Sequence, residues 1–248
     1  MKVFICLFSL FLFQTKIYAQ IINIENKRFL KDTNGFIGKA DVNFNINQNI
    51  NQVLSLGVNI HSQYVHNRHR ILAIGDLAFI KAGTQDFVNS GYQHLRYNYK
   101  MYKIITWEAF VQAQYNRILL LDRRYLMGTG PRFKLIKKPN IRAYTALLYM
   151  YEYQSQNNDS IESYNNRMSS YLTLSFGSKK IEFTSTTFYQ PNLANFNDYR
   201  IANDSSLEII ITNHFNFRVG FNLLYDTKQP IGIPDLTYIL KNGLTFKF

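Results

Sequence analysis

The histidines are the residues of this chain best suited to acid–base chemistry or to holding a metal ion. His66 and His69 lie close together, but their segment adds Arg68 and Arg70 and no acidic ligand. Two cations beside a histidine pair disfavour a bound metal ion, so we interpret this segment as a basic turn near a membrane surface. The other three histidines lie on the polar faces of separate segments: His61, His94 and His214.

Further signatures of catalysis are missing from the sequence. No nucleophile elbow accompanies the histidines, and there is no glycine-rich phosphate loop. Gly128-Thr129-Gly130 does not fit a nucleotide-binding fingerprint and lies in a segment with strand character. Cys6, the single cysteine, lies in an amino-terminal segment that we expect to be removed, so the mature chain would have no disulfide, thiol nucleophile or lipoprotein anchor. We therefore expect no enzyme activity, no catalytic residue, no bound metal and no cofactor.

Charged residues of both signs recur at alternate positions of regular segments, opposite apolar side chains. In a strand, this two-residue period puts them on one face. Charges in a low-dielectric interior must pair or contact water, so these are candidates for the lining of a lumen. They would form either a polar conduit or a network of cross-strand ion pairs that plugs the lumen. The candidates are Lys39, Asp41, Arg96, Glu108, Arg142, Glu152, Glu182, Glu208, Arg218, Lys241 and Lys247.

The segments that carry these charges alternate apolar and polar residues, the pattern of half-buried β-strands. Ile105, Trp107 and Ala109, for example, alternate with Glu108 and Phe110. Twelve such segments are predicted, an even number that is typical of a single-chain bacterial barrel. They cover residues 34–47, 52–65, 70–81, 87–100, 104–117, 124–135, 141–153, 167–177, 180–190, 205–212, 214–225 and 237–248.

The predicted connections alternate in length. Links from even to odd strands are short, whereas most links from odd to even strands are long, for example 154–166 and 191–204. Outer-membrane barrels show this alternation, with short turns on the periplasmic side, so we expect both termini in the periplasm. Side chains of the long links would either anchor the loops by ion pairs or recognise an external ligand or lipopolysaccharide. The candidates are Asp122, Arg123, Asp198, Tyr199, Arg200, Asp226 and Asp235.

The two ends of the chain indicate export. Lys2, the apolar run 3–13 and Ala19 have the layout of a signal peptide, so we expect a signal over 1–19, a periplasmic lead-in over 20–33 and a barrel domain over 34–248. The last strand ends in aromatic residues, and Phe246 and Phe248 are interpreted as a signal for the barrel-insertion machinery.

The composition indicates which kinds of molecule the protein could bind. The chain has a net charge of +12, and 16% of its residues are aromatic. Because an exported protein does not meet nucleic acid, anionic lipid and lipopolysaccharide are the expected counter-charges. The sequence leaves the oligomeric state open.

Several short strings, in this order, resemble the YdiY-like salt-induced outer-membrane protein family, domain-of-unknown-function family 481. They are Gly35–Phe44, Leu121–Arg124 with Gly128–Arg132, Tyr189–Leu193 with Asp198–Arg200, and Asp226, Pro230 and Asp235 before the closing Phe248. The resemblance implies an outer-membrane β-barrel linked to salt or osmotic stress, and it supplies no catalytic residues.

The sequence as a whole predicts an all-β protein, a single antiparallel transmembrane β-barrel of about 12 strands in the outer membrane of a Gram-negative bacterium. The expected role is non-enzymatic, in the cell envelope or in salt stress. Three alternatives stay open: a narrow channel for small solutes, an outer-membrane lipid-modifying enzyme and an exported soluble β-protein.

Overall fold

Twelve antiparallel strands form one sheet in the computed structural model, which describes residues 34–48, 52–156, 161–212, 215–230 and 232–246. The strands are β1 (Gly35–Gln48), β2 (Gln52–His66), β3 (His69–Ala82), β4 (Gln85–Lys100), β5 (Ile105–Asn116), β6 (Leu121–Lys137), β7 (Ile141–Gln156), β8 (Ile161–Gly177), β9 (Ile181–Pro191), β10 (Tyr199–Ile210), β11 (Phe215–Asp226) and β12 (Leu236–Phe246). Each strand pairs with its neighbour in sequence, from β1 through to β12. The predicted all-β architecture of twelve antiparallel strands is confirmed.

Helical structure is minor. Within the described ranges, a single 3-10 turn, Arg117–Leu119, connects β5 to β6. Across the described ranges, no helix has both the length and the apolar character needed to cross a membrane. The predicted signal peptide, the lead-in and the terminal Phe248 lie outside the described residues.

The two faces of the sheet differ in burial because the strands alternate strictly. In β7, Leu148 and Met150 are 2% and 1% exposed. Leu147 and Tyr149, which alternate with them along the strand, are 50% and 51% exposed. The exposed face is rich in large apolar side chains along most strands. A two-residue period therefore separates an apolar outward face from a buried inward face.

The sheet curves so strongly that inward side chains meet across it. Tyr171 on β8 donates a hydrogen bond from its hydroxyl to Glu108 Oε2 on β5, 2.8 Å away, although β6 and β7 lie between these strands in the sheet. One buried cluster likewise joins apolar residues from β5, β7, β8, β9, β10 and β11. The interior is thus a common space shared by non-adjacent strands.

A glycine makes room for this interior packing. A Cβ atom at Gly128 would lie 2.5 Å from Phe110 Cε1 and 2.9 Å from the carbonyl oxygen of Tyr149. Such distances are too short for carbon contacts, so the aromatic ring of Phe110 occupies the space above the glycine backbone. The absence of a side chain at Gly128 is therefore what allows the Phe110 ring to pack there.

The strands extend further than predicted on the side of the odd-to-even links. β7 and β8 remain paired as far as Gln156 opposite Ile161, so most of the predicted loop 154–166 is sheet. Polar side chains such as Gln154 and Ser163 face each other there. Their polar character suits a loop as well as the inward face of a strand, and the sequence interpretation chose the loop.

The connection before β10 changes in the same way. β10 begins at Tyr199, so the link predicted over 191–204 shortens to 192–198. Within the described part of the chain, 192–198 and 227–235 are the two long connections. The length alternation that predicts periplasmic termini is carried by these two links, and the location of the termini stays a prediction.

Candidate functional site

Glu152 lies at the centre of the buried charges. It is on the inward face of β7, is 0% exposed, and meets guanidinium groups from three other strands. Arg200 on β10 donates from Nη1 to Glu152 Oε2, and Arg167 Nε on β8 lies 3.3 Å from Oε1. Arg124 Nε on β6 is 3.9 Å from Oε2. One carboxylate therefore ties three strands to β7.

Two further carboxylates complete this group, which we call the Glu152 cluster: Arg124, Glu152, Arg167, Asp198, Arg200 and Asp226. Arg167 Nη2 donates to both oxygens of Asp198, at 2.9 and 3.2 Å. Arg200 Nε donates to Asp226 Oδ2 at 2.6 Å. Three guanidinium groups thus face three carboxylates, which is the balance that buried charges require.

The Glu152 cluster also anchors the two long connections. Asp198 ends the connection 192–198, and its backbone oxygen accepts a hydrogen bond from the Asn192 amide at 2.8 Å. Asp226 ends β11 directly before the connection 227–235. Because the side chains of both aspartates bind arginines in the interior, the cluster fixes the ends of both connections to the strands.

A second group, the Glu108 cluster, comprises Arg96, Glu108, Arg132 and Tyr171. Glu108 on β5 is 0% exposed, with Arg96 Nη1 3.3 Å from Oε2 and Arg132 Nε 3.8 Å from Oε1. The Tyr171 hydroxyl adds the hydrogen bond described above. The Arg132 guanidinium also lies 4.0 Å from the ring centroid of Tyr144, a cation–π contact.

An apolar layer separates the two clusters. Phe110, Leu148, Met150 and Phe188 pack together there, and the remaining cavity among them and the neighbouring arginines measures about 30 Å³. A space of this size holds about one or two water molecules. Around this apolar layer, the side chains therefore leave room for very little water.

The predicted lumen charges fall into two groups. Arg96, Glu108 and Glu152 are brought together in the clusters. The others lie outside the clusters. Lys39 and Asp41 on β1 form an ion pair of 2.9 Å, with side chains 68% and 43% exposed. Arg218 pairs with Glu208 at 2.8 Å, and Glu182 lies opposite Glu208 in the register. Arg142 is half-buried, and Lys241 is exposed opposite Gly220. Lys247 lies outside the described residues.

The predicted loop residues also divide. Asp198, Arg200 and Asp226 are 8%, 2% and 2% exposed and belong to the Glu152 cluster, because Arg200 and Asp226 occupy inward positions of strands that extend beyond their predicted bounds. The others stay at the surface or near it. The Tyr199 ring packs against those of Tyr189 and Tyr225, tilted to both. Asp122 lies 3.9 Å from Arg117, and Arg123 and Asp235 are exposed. Phe246 ends β12.

The sequence interpretation missed Arg124, Arg132 and Arg167 as interior residues. Arg124 and Arg167 stand at the first positions of their predicted strands, where the orientation of a side chain is least certain. The available signal was parity: in the register, Arg167 lies opposite Met150 on the inward face of β7. A buried glutamate needs a cationic partner, so the predicted inward positions of Glu108 and Glu152 also indicated that arginines must lie near them.

The histidines are dispersed in the structure. His66 and His69 face each other across the β2–β3 turn, and His69 Nδ1 lies 2.7 Å from the Tyr97 hydroxyl. His94 is buried, with its Nδ1 2.8 Å from Gln112 Oε1. Among the residues that the structure describes, no group of three or more His, Cys, Asp or Glu side chains could hold a metal ion.

Comparison with known proteins adds a family and a fold likeness. A family model described as "Protein of unknown function, DUF481" matches residues 41–248. No curated protein matches the chain. A solved structure described as "NanC porin structure in rhombohedral crystal form" is similar at a TM-score of 0.47 and 10% identity, over 78% of this chain and 94% of that chain.

Proposed function

The chain belongs to the DUF481 family, and from that premise we propose that it is a non-enzymatic β-barrel of the bacterial outer membrane with an envelope role under salt or osmotic stress. In this proposal, the twelve-stranded sheet closes on itself in the membrane. The two ion-pair clusters then plug the interior. With its interior plugged, the protein would act through contacts of its outer surface with the membrane and with the compartments on either side of it.

The observation that carries the proposal is the reversal of burial between the two faces. Tyr238, Leu240 and Leu244 on β12 are 62%, 59% and 62% exposed, while Glu152 and Arg200 are almost completely buried. A water-soluble sheet gains free energy by burying its apolar face. A barrel in lipid has the opposite requirement, with an apolar outer band around a polar interior.

The plugged state is supported by the pairing inside. Each carboxylate of the two clusters meets at least one guanidinium group, and this pairing holds the carboxylate in place and favours its charged form. The contacts join β4, β5, β6, β7, β8, β10 and β11 across the curved sheet. Such a network stabilises one packed arrangement, which supports a structural role over a catalytic one.

The membrane assignment is tested by fractionating cells that produce the full chain. We expect the protein in the outer-membrane fraction, resistant to carbonate extraction, with faster gel migration before heating than after it. Faster migration reports a barrel that keeps its fold in detergent. A carbonate-extractable protein without this difference would contradict the proposal.

A narrow channel is the second candidate, and one observation favours it. Gly57, Gly220 and Gly243 lie on the inward face near the two ends of the sheet order, where added Cβ atoms would meet nothing closer than 3.9 Å. These glycines leave more room than Gly128, where an added Cβ atom would lie 2.5 Å from the Phe110 ring. Planar-bilayer recording separates the two candidates, because defined single-channel steps indicate a conduit, while a silent protein that is inserted indicates a plug.

A further inference from the structure

The short hairpin connections at one end of the sheet carry a concentration of positive charge. β2–β3, β4–β5, β6–β7 and β8–β9 all turn at the same end because the strands are antiparallel neighbours in order. Together with the strand residues beside them, these connections span 64–72, 97–107, 133–144 and 175–184. These ranges contain ten Lys and Arg residues against one acidic residue, Glu182.

Seven of these cations are exposed in the structure, and we call them the basic rim: Arg68, Lys100, Lys103, Lys137, Lys138, Lys179 and Lys180. The opposite end differs in charge. There, the residues next to the connections mix the two signs, for example Arg123 and Lys228 with Asp86 and Asp235. The positive potential is therefore a property of one end.

Exposed aromatic and aliphatic side chains lie directly beside the basic rim. Tyr102, Ile104 and Trp107 are 66%, 60% and 43% exposed, and Trp107 Nε1 donates to Thr129 Oγ1 at 2.8 Å. Aromatic side chains of this kind mark the boundary between hydrocarbon and headgroups. In the proposed membrane location, the cations of the rim consequently lie at the depth of lipid headgroups.

We propose that the basic rim binds the headgroups of anionic phospholipids in the leaflet on its side of the membrane. This inference rests on the proposed membrane location, and in the proposed orientation that leaflet faces the periplasm. Each Lys or Arg near a membrane surface adds attraction for anionic lipid. A ring of seven spread over four connections would collect several such lipids around the barrel.

Trp107 supplies the reporter for a test, because it is the only tryptophan of the chain and lies beside the rim. The full mature chain is folded into phosphatidylcholine vesicles that contain either brominated phosphatidylglycerol or brominated phosphatidylcholine at the same mole fraction. Bromine quenches a tryptophan that it contacts, so the ratio of quenching measures local enrichment of the anionic lipid. We expect brominated phosphatidylglycerol to quench at least about twice as strongly at low salt, and the difference to fall as salt screens the charges.

A variant with all seven rim cations changed to glutamine should show equal tryptophan quenching by both lipids. A matched control, Arg123→Gln with Lys228→Gln, changes exposed cations at the opposite end and should keep the preference for phosphatidylglycerol. Equal quenching in the unaltered protein would overturn the inference. A competition experiment gives a second contradicting outcome. Unbrominated lipid A or unbrominated phosphatidylglycerol is added to vesicles with brominated phosphatidylglycerol. If lipid A removes the quenching at the lower concentration, the rim prefers a phosphorylated glycolipid and the inference is overturned.

The outcomes also separate this inference from the proposed function. A protein that never enters the bilayer is quenched by neither lipid and lacks heat-dependent gel migration, which contradicts the membrane location itself. A protein that enters and is quenched equally by both lipids contradicts only the lipid preference.

Discussion

Removing the central charge of the Glu152 cluster is the strongest test of the interior. Glu152→Gln keeps the size of the side chain and deletes its charge. Arg167 and Arg200 then retain Asp198 and Asp226, whereas Arg124 retains only the hydrogen bonds to Gln154, at 3.0 and 2.7 Å. Three buried guanidinium groups would face two carboxylates.

The expected cost follows from this imbalance. Breaking a buried ion pair by removing one partner destabilises a protein by about 3–5 kcal/mol, because the remaining charge stays buried without compensation. At a denaturant slope of about 2 kcal/mol per M of urea, this loss lowers the unfolding midpoint by about 1.5–2.5 M. The effect should be large because Glu152 contacts more than one arginine.

The assay is urea unfolding of the folded protein in detergent, read by heat-dependent gel migration and by the fluorescence of Trp107. Glu162→Gln is the matched control, since Glu162 is exposed on the neighbouring strand β8 and accepts a hydrogen bond only from the Tyr153 hydroxyl among the contacts described here. The control should unfold at the same urea concentration as the unaltered protein.

A double variant checks the reasoning about charge balance. Glu152→Gln with Arg124→Gln leaves two guanidinium groups and two carboxylates, which pair as Arg167 with Asp198 and Arg200 with Asp226. It should therefore be less destabilised than the sum of the two single changes, a coupling typical of residues in one network. A Glu152→Gln midpoint equal to that of the unaltered protein, or strict additivity in the double variant, would refute the proposed network.

Three further changes test other parts of the structure. Gly128→Ala forces a methyl group against an aromatic ring and should cost about 1–3 kcal/mol in the same unfolding assay, whereas Gly243→Ala, with nothing within 4 Å of the added carbon, should cost much less; equal effects would contradict the packing. Asp198→Asn weakens the tie between 192–198 and the interior, so limited proteolysis followed by mass spectrometry should show faster cleavage in that connection, and an unchanged cleavage rate would show that the ion pair does not hold it. Deleting Phe248 should lower the amount of protein in the outer membrane, as measured by fractionation, and a normal amount would remove the terminal aromatic as an insertion signal.

The strand count could be predicted because each strand needs only a two-residue period, which is visible locally. β5 shows this, where Glu108 and Phe110 on the inward face alternate with Trp107 on the outward face. The length of the connections could not be predicted in the same way. Polar strand ends such as Gln154 opposite Ser163 have loop-like composition, and only pairing with a neighbouring strand reveals that they are sheet.

The site was predictable only in part for a related reason. The sequence indicated inward charges such as Arg96, Glu108 and Glu152 but not their partners, because partners come from strands that are distant in sequence. Arg200 illustrates the difficulty: it lies 48 residues from Glu152 and stood within a predicted loop. Register and curvature brought the two together, and neither is encoded in any local pattern.

A polar interior also suits the export that the proposed membrane location would require. Alternation keeps the mean hydropathy at −0.20, so the unfolded chain can cross an aqueous compartment although its outward face is apolar. An apolar interior would turn each strand into a continuous apolar run and favour aggregation before insertion. Once the sheet curves, however, the inward charges leave water and must pair. In the proposed membrane location, the Glu152 and Glu108 clusters thus satisfy the same constraint that would make the chain exportable.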